Sequence, residues 1–252
     1  SFITNKLKLI NYFIEMDYFC SMKRIDENDN EFICDIQAPC FKDLDRSELE
    51  LVKSARTQVL FKKGDTLAKQ GAFASYILFV VNGLCKQYIE GPGQKSYNVR
   101  VVQPGEFIGL SSVFDKNIYS YSVAALTDCH AVLVERDAMS FVVERNGGFA
   151  MRIIKRYCSQ NSSLYSSLNS LLYKQMNGRV AETILYLESL ERSHPDIFRL
   201  LSRRELADFA SVSLESMVKI LKSFEKEGII ELKEREVVVR KRQILEEISI
   251  KG

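Results

Sequence analysis

Apolar residues at helical spacing predict two short amphipathic helices, joined by a tight turn, over residues 201–222. The first opens with Ser202 and, three residues later, Glu205, which is the spacing of a capping box. Ser213 is suited to cap the second helix. The apolar positions that share an inner face are Leu206, Phe209, Ala210, Met217, Ile220 and Leu221. This pattern indicates either a DNA-binding helix-turn-helix or an ordinary helical hairpin.

The residues that follow the helix pair favour the DNA-binding interpretation. A third helical stretch ends at Gly228, and the short apolar runs Ile230–Leu232 and Val237–Val239 predict two strands. The charged segment Lys233–Glu236 separates the two runs and predicts the turn between them. Three helices followed by a small β-hairpin form a winged helix.

Upstream, short apolar runs with glycine turns between them extend from Lys42 to about Glu135. The predicted strands are Gln58–Phe61, Thr66–Lys69, Tyr76–Asn82, Leu84–Glu90, Lys95–Val102, Phe107–Gly109, Ser120–Ala125 and His130–Val134. Short strands with turn signals at this spacing are typical of a β-sandwich or barrel. We expect an eight-stranded double-sheet jelly roll, so the fold class of the whole chain is α+β.

One long helix is predicted between the roll and the winged helix, at about 148–173. Its apolar residues alternate steps of three and four, as in the a and d positions of a coiled coil. The seam positions are Ile154, Tyr157, Asn161, Leu164, Leu168, Leu171 and Gln175. A single polar Asn161 in the seam is typical of two-stranded coiled coils, so we expect a parallel homodimer, the alternative being a helix packed on its own roll. Asn177-Gly178 is expected to end or bend this helix.

Composition is consistent with two domains and excludes few functions. The chain has 252 residues, of which 46% are hydrophobic and 27% charged, and its formal net charge is +2. No run of eighteen apolar residues and no signal-peptide block are apparent, so we expect a cytoplasmic protein that does not associate with membranes. A charge this small gives only modest attraction to phosphate, so DNA specificity would depend on aimed contacts. The sequence shows no nucleophile–base pair and no phosphate loop with recognisable spacing, so we do not expect an enzyme.

The order of roll, dimer helix and winged helix resembles the CRP/FNR family of bacterial transcription regulators. The segments that carry the resemblance are Lys63-Gly64-Asp65, Gln70-Gly71, Val81-Asn82-Gly83, Pro104–Gly109, Asn177–Thr183 and the helix pair. The resemblance implies a homodimer that binds palindromic double-stranded DNA, contacts RNA polymerase and responds to a small-molecule effector. The expected divisions are an extension at 1–35, an effector-sensing roll at 36–147, the dimerisation helix at 148–176 and the DNA-binding domain at 177–252.

The resemblance also implies which residues contact DNA. Family members read bases with a Glu early in the second helix and an Arg four residues later, and Glu215 and Lys219 stand at those positions. Glu can accept from cytosine N4, and Lys can donate to guanine O6 and N7. Leu214 stands where the cyclic-AMP branch has an Arg, and it can offer only apolar contact to a thymine methyl. The predicted phosphate contacts are Ser213, Ser216, Ser202, Arg203, Lys222, Arg240 and Lys241, although solvated surface is an equal alternative for the last five.

The effector site departs from the pattern of cyclic-nucleotide binders. Those proteins follow a glycine with Glu, which holds the ribose, and carry an Arg-Ser or Arg-Thr pair that binds the phosphate. Here the corresponding segments are Gly109-Leu110-Ser111 and Ser120-Tyr121, without the acid or the arginine. The dimer-helix positions that meet the purine are the bulky Leu164 and Tyr165. The sequence therefore does not favour cyclic AMP, and the effector stays unidentified.

Cysteines and histidines leave a redox or gas sensor as an alternative. The six cysteines are Cys20, Cys34, Cys40, Cys85, Cys129 and Cys158. The oxygen-sensing branch of the family holds an iron–sulfur cluster with three closely spaced N-terminal cysteines and one in the roll, but Cys20, Cys34 and Cys40 are spaced too widely for that motif. Cys85 and Cys129 lie in apolar strands, where cysteine is usually a small buried hydrophobe. For haem, the candidate ligands are His130 and His194, and a signalling module that does not bind DNA is the remaining alternative.

Overall fold

The computed structural model describes residues 23–24, 41 and 44–252. Cys20, Cys34 and Cys40, and most of the predicted extension at 1–35, lie outside these residues. The chain divides into two compact units. One contains the chain up to Gln87 together with Val101–Ser159, and the other contains Tyr88–Arg100 together with Gln160–Gly252.

The first half of the chain forms two antiparallel sheets, as the glycine-punctuated strands predict. The strands are β1 (Lys23–Arg24), β2 (Arg56–Phe61), β3 (Thr66–Ala68), β4 (Tyr76–Asn82), β5 (Cys85–Glu90), β6 (Ser96–Val102), β7 (Phe107–Ile108), β8 (Ser122–Ala125) and β9 (Cys129–Glu135). One sheet has the order β1-β2-β9-β4-β7, and the other has the order β3-β8-β5-β6. All eight predicted strands are confirmed to within two residues at each end, and β1 is an additional strand in the N-terminal region.

Strands β4 and β9 are continuously apolar because both faces of their sheet are buried. Along β4, Leu78 and Val80 face the cluster between the sheets, whereas Ile77 and Phe79 belong to a second cluster on the other face. That second cluster is completed by residues from the flanking helices, including Val52, Met139, Val142, Phe149 and Ile153.

Nine helices lie in the part of the chain that the structure describes. They are α1 (Arg46–Ser54), α2 (Ser111–Phe114), α3 (Arg136–Arg145), α4 (Gly147–Tyr173), α5 (Met176–Glu191), α6 (Ile197–Leu200), α7 (Arg203–Ala210), α8 (Leu214–Lys226) and α9 (Arg242–Lys251). Helix α4 is the predicted long helix, and it starts one residue earlier than expected.

The prediction that Asn177-Gly178 breaks the long helix is wrong. Helix α4 already ends at Tyr173, and both residues lie within the first turn of α5. Gly178 is buried, and a Cβ added there would lie 2.5 Å from the carbonyl oxygen of Gly252. The glycine therefore allows close approach of the C-terminal backbone rather than a change of direction.

Helices α5, α7 and α8 pack around one core and are followed by the hairpin of β10 (Ile230–Lys233) and β11 (Glu236–Val239). The two strands pair antiparallel, with Ile230 opposite Val239 and Lys233 opposite Glu236. Every predicted inner position of the helix pair is buried: Leu206, Phe209, Ala210, Met217, Ile220 and Leu221. The predicted trihelical domain with a β-hairpin wing is confirmed.

Candidate nucleic-acid interface

Helix α7 starts at the predicted capping box. The Ser202 hydroxyl accepts a hydrogen bond from the Glu205 backbone N–H at 3.2 Å, and the Glu205 carboxylate accepts from the Ser202 N–H at 2.8 Å. Two backbone donors at the helix start are thereby satisfied, which fixes where α7 begins. Ser202 is exposed but already serves as this cap.

The turn between α7 and α8 is held by an arginine whose role the sequence did not indicate. Ser211 adopts a left-handed conformation with φ of +50°. The Arg179 guanidinium in α5 donates to the carbonyl oxygens of Ala210 at 3.0 Å and Ser211 at 3.3 Å. Arg179 therefore satisfies carbonyls that the end of α7 leaves open and ties the turn to α5. Its place in Asn177–Thr183 contributed to the family resemblance, but nothing local predicted this contact.

Helix α8 starts with a second serine cap. The Ser213 hydroxyl accepts from the Ser216 N–H at 3.0 Å and donates to the Ser216 hydroxyl at 2.9 Å. The unpaired amides of a helix N-terminus, with the positive end of its dipole, favour a nearby anion. The predicted phosphate contacts Ser213 and Ser216 are therefore located where a phosphate oxygen would be stabilised.

The outer face of α8 presents the predicted base-reading residues to solvent. Leu214, Glu215 and Lys219 are exposed, whereas Met217 and Ile220 are buried. Glu215 and Lys219 are four residues apart, so their side chains lie on the same face of the helix, one turn from each other. A polar N-terminal face on the second helix of such a pair is what entry into the major groove requires.

The remaining predicted phosphate contacts differ in their availability. Lys222 is exposed, whereas Arg203 is half-buried. Burial lowers the pKa of the Arg203 guanidinium, and the negative charge of Glu225 partly offsets this by raising it. The exposed Arg240 and Lys241 flank the wing, where they bind carboxylate and carbonyl oxygens of their own domain.

Within the wing, the Arg240 guanidinium donates to the Glu231 carboxylate, and its Nε lies 2.9 Å from the Glu231 Oε2. This bond lowers the pKa of Glu231. The Lys241 ammonium donates to the Glu227 carbonyl oxygen at 3.0 Å. Binding of DNA phosphate by either cation would require exchange of these bonds.

Comparison with known families matches both halves of the chain. A model described as "Cyclic nucleotide-binding domain" matches residues 58–146. A model described as "Crp-like helix-turn-helix domain" matches residues 178–248. Together they account for more than half of the chain, in the same order as the roll and the winged helix.

The chain belongs to the CRP/FNR family of transcription regulators. It is accordingly a DNA-binding transcription regulator of the CRP/FNR type rather than an enzyme.

Two regulators with different names are similar to this chain over most of its length. The "Cyclic AMP receptor protein" of Thermus thermophilus is 24% identical over 212 residues, covering 84% of this chain and 97% of that protein. The "Anaerobic regulatory protein" of Bacillus subtilis is 23% identical over 214 residues, covering 82% and 90%. One of the two is named for cyclic AMP and the other for anaerobic regulation, and each is matched over nine-tenths or more of its own length.

Solved structures of the CRP/FNR family have the same fold. A regulator from Eubacterium rectale matches with a TM-score of 0.72 at 15% identity, covering 84% of this chain and 98% of its own. FixK2 from Bradyrhizobium japonicum matches with a TM-score of 0.65 at 20% identity, covering 77% of this chain and 96% of its own.

In the described part of this chain, no helix is both long and apolar enough to cross a membrane.

In the roll, the segment that binds the ligand phosphate in cyclic-nucleotide-binding CRP/FNR members is occupied by the chain's own side chains. Gly109 has φ of +86°, and its N–H donates to the Tyr121 hydroxyl at 3.0 Å. Leu110, at the position of the ribose-binding Glu, is 1% exposed and packs in the outer cluster of the sheet. The Gly109 amide is therefore already satisfied.

The other predicted effector positions belong to α2, to the segment before β8 and to α4. Ser111 begins the short helix α2, and Ser120 is exposed. Leu164 and Tyr165 are both exposed on α4. Their assignment to an effector pocket stays a prediction.

Candidate metal ligands do not converge in the described residues, which contain no group of three or more His, Cys, Asp or Glu side chains able to hold a metal ion. His130 is buried, and its Nε2 lies 2.8 Å from the Gln58 side-chain oxygen. Burial lowers the pKa of His130, because the charged imidazolium is disfavoured there. Cys129 lies beside Cys85 rather than beside other metal-binding side chains.

Proposed function

We propose that this regulator binds a palindromic operator as a parallel homodimer and reads base edges with Glu215 and Lys219. The observation that carries the proposal is the exposed pair on the N-terminal half of α8, four residues apart, in a Crp-like helix-turn-helix. A carboxylate accepts from cytosine N4, and an ammonium donates to guanine O6 and N7. Leu214, beside them, can contact a thymine methyl but cannot donate to guanine. The operator should therefore differ from that of the cyclic-AMP branch, which has an Arg at this position.

The surface of α4 supports the homodimer. Ile154, Leu164 and Leu168 are 42%, 39% and 51% exposed, although all three belong to one seam. Exposed leucines repeated at a and d spacing on one helix favour a coiled-coil partner, and a second copy has the same seam in register. Asn161, half-buried between them, fixes that register and favours two strands.

Tyr157 is shared with the roll rather than available only to the seam. Its ring lies 6.2 Å from that of Phe114, centroid to centroid, and it packs against the outer cluster of the sheet. The partial burial of Tyr157 is therefore explained by packing on the chain's own roll. We expect the dimer contact to be strongest in the part of α4 that follows Tyr157.

We assign the effector-sensing role to the roll at 36–147, dimerisation to 148–176 and DNA binding to 177–252. The effector is a small molecule other than cyclic AMP, because Leu110 and Tyr121 occupy the positions that would bind ribose and phosphate. We further infer, from membership of the CRP/FNR family alone, that the dimer acts in the cytoplasm and contacts RNA polymerase at its operator.

Selection from random-sequence DNA at low salt tests the DNA-binding proposal. We expect palindromic sites with half-sites about one helical turn apart, because a two-fold symmetric dimer places its two recognition helices at that distance. Emergence of no palindrome would contradict the proposal and would favour a signalling module that does not bind DNA.

Thermal unfolding with and without cyclic AMP tests the effector assignment. A ligand that binds only the folded state raises its stability by about 2.7 kcal/mol at a hundred times its dissociation constant. We expect no shift of Tm at millimolar cyclic AMP. A rise of several degrees would contradict the assignment.

A further inference from the structure

Two cysteines from opposite sheets face each other in the core of the roll. Cys85 begins β5, and Cys129 begins β9. Their Sγ atoms are 3.5 Å apart, and both side chains are fully buried within the cluster between the sheets. A disulfide has an S–S length of about 2.05 Å, so the two sulfurs need to approach by roughly 1.5 Å to bond.

Cys129 lies directly beneath an exposed turn. A Cβ added to Gly83 would lie 2.6 Å from the Cys129 Sγ, so this glycine covers the sulfur without a side chain in the way. Gly83 is half-buried, and Asn82 and Asp128 beside it are exposed. The backbone of Gly83, rather than a side chain, therefore lies against the sulfur, and we expect a local opening of this turn to admit a small neutral molecule.

The surroundings of the two sulfurs make them unequal. The hydrogen bond with Cys85 lowers the pKa of Cys129, and the Thr127 side chain lowers it further, whereas burial and the charge of Asp128 raise it. The same hydrogen bond with Cys129 and burial raise the pKa of Cys85. The Cys129 thiol can donate to the carbonyl oxygens of Leu84 and Thr127, each 3.2 Å from its Sγ. Because the thiolate is the nucleophile and Cys129 is the sulfur that lies against the Gly83 turn, Cys129 is the sulfur that attacks first and Cys85 reacts second.

We propose that Cys85 and Cys129 form a reversible dithiol–disulfide site that a small peroxide, such as hydrogen peroxide, oxidises. The Cys129 thiolate attacks one peroxide oxygen, the O–O bond breaks, and the departing hydroxide takes a proton and leaves as water. The resulting sulfenic acid on Cys129 then reacts with the Cys85 thiol. The S–S bond forms, the S–O bond breaks, and the hydroxyl leaves with the Cys85 proton as a second water, which completes a two-electron oxidation by one peroxide.

The bond would join the two sheets at one end of the roll. It would link positions 44 residues apart in the chain, and a loop of that length lowers the entropy of the unfolded chain substantially. Oxidation should therefore make the roll more resistant to unfolding, and reduction should reverse the change. The site is independent of the DNA contacts, so its test and that of the operator can fail separately.

Peptide mapping of the peroxide-treated protein tests the site. The full chain is reduced, freed of reductant, exposed to a few equivalents of hydrogen peroxide under native conditions, alkylated and digested without reductant. We expect a peptide linking Cys85 to Cys129, a mass loss of two hydrogens, recovery of both thiols with dithiothreitol and a Tm several degrees higher in the oxidised form. The Cys158→Ser variant, which removes an exposed thiol, should give the same link.

The variants Cys85→Ala and Cys129→Ala keep a small apolar side chain in the core and remove one partner. Both should lose the link and the rise of Tm while keeping the circular dichroism of the wild type. In Cys85→Ala, Cys129 should accumulate as a sulfenic acid that dimedone traps. Failure of folded wild-type protein to form the link, or its formation only in denaturant, would overturn the proposal and leave the pair as packing residues.

Discussion

At the residue scale, the first prediction concerns Glu215, one of the two side chains that we propose to face bases. Glu215 is exposed on α8, and its burial in the groove is favourable only where a base offers a donor. Glu215→Ala should therefore relax preference at one base pair of each half-site, by about 1–3 kcal/mol, and should leave the other positions unchanged.

Competition binding with operators mutated one position at a time measures this effect. Glu247→Ala, an exposed acid on α9, is the matched control and should leave every preference unchanged. Uniform loss of affinity across all sequences in Glu215→Ala would argue against direct readout by this residue.

His130 makes stability depend on pH in a known direction. Burial lowers its pKa below the ordinary value of 6.5, so the unfolded chain takes up the proton first. The stability that the neutral His130 side chain contributes is fully present above pH 6.5. It is lost as the pH falls through 6.5 towards the pKa of His130 in the folded state. In His130→Gln, which does not titrate, the Tm should fall less between pH 7.5 and 5.5 than in the wild type.

His194→Gln, in the loop after α5, is the control for a general effect of replacing a histidine. An unchanged slope in His130→Gln would contradict this account of the buried imidazole.

At the element scale, the orientation of the recognition helix depends on a contact from outside the helix pair. Arg179 binds the carbonyl oxygens of Ala210 and Ser211, between α7 and α8. Hydrogen bonds from a charged donor contribute about 1.5–3 kcal/mol each. Arg179→Leu should lower the free energy of unfolding by roughly that amount and weaken binding to all DNA sequences, because it loosens the turn rather than removing a base contact.

Urea unfolding and DNA binding together measure the role of Arg179. Arg235→Leu, in the exposed wing turn, is the matched control and should change stability by less than about 0.5 kcal/mol. A loss of specificity at one base position in Arg179→Leu would indicate direct readout instead.

At the scale of the whole molecule, patterns with a fixed period were predictable and contacts between distant segments were not. The strands, the long helix and the wing followed from spacing and turn residues alone. The closeness of Gly178 to Gly252 and of Cys85 to Cys129 joins segments far apart in the chain, and no periodicity encodes it. The same holds for the contact of Arg179 with the helix-turn-helix.

The candidate site likewise has features that a local pattern predicts and contacts that only the structure reveals. The base-reading roles of Glu215 and Lys219 were implied by the family resemblance and stay a prediction, whereas the helical spacing predicted which side of α8 is exposed, and both residues lie on that side. The effector positions depend on how strands and loops meet. The sequence indicated the missing acid and arginine, but the hydrogen bond from Gly109 to Tyr121 could be found only in the structure.

The proposed homodimer would couple the α4 seam to the binding of a palindromic DNA site. Leu168 is 51% exposed at the centre of the C-terminal part of the α4 seam. Leu168→Glu would place a charge opposite its own copy in a two-fold dimer, so both like-charge repulsion and burial of an unpaired carboxylate oppose association. Sedimentation should show a monomer. Affinity for the palindrome should fall by about 10²–10⁴-fold, because the second half-site no longer binds as part of the same molecule.

Asn169→Glu introduces the same charge at the adjacent exposed position, outside the seam, and should leave the dimer and its operator affinity unchanged. Affinity for an isolated half-site should be equal in the two variants, because each keeps α8 intact. A Leu168→Glu protein that stays dimeric would place the dimer interface elsewhere. A monomer that retained full affinity for the palindrome would remove the reason for a symmetric operator, since each recognition helix would then bind DNA independently of its partner.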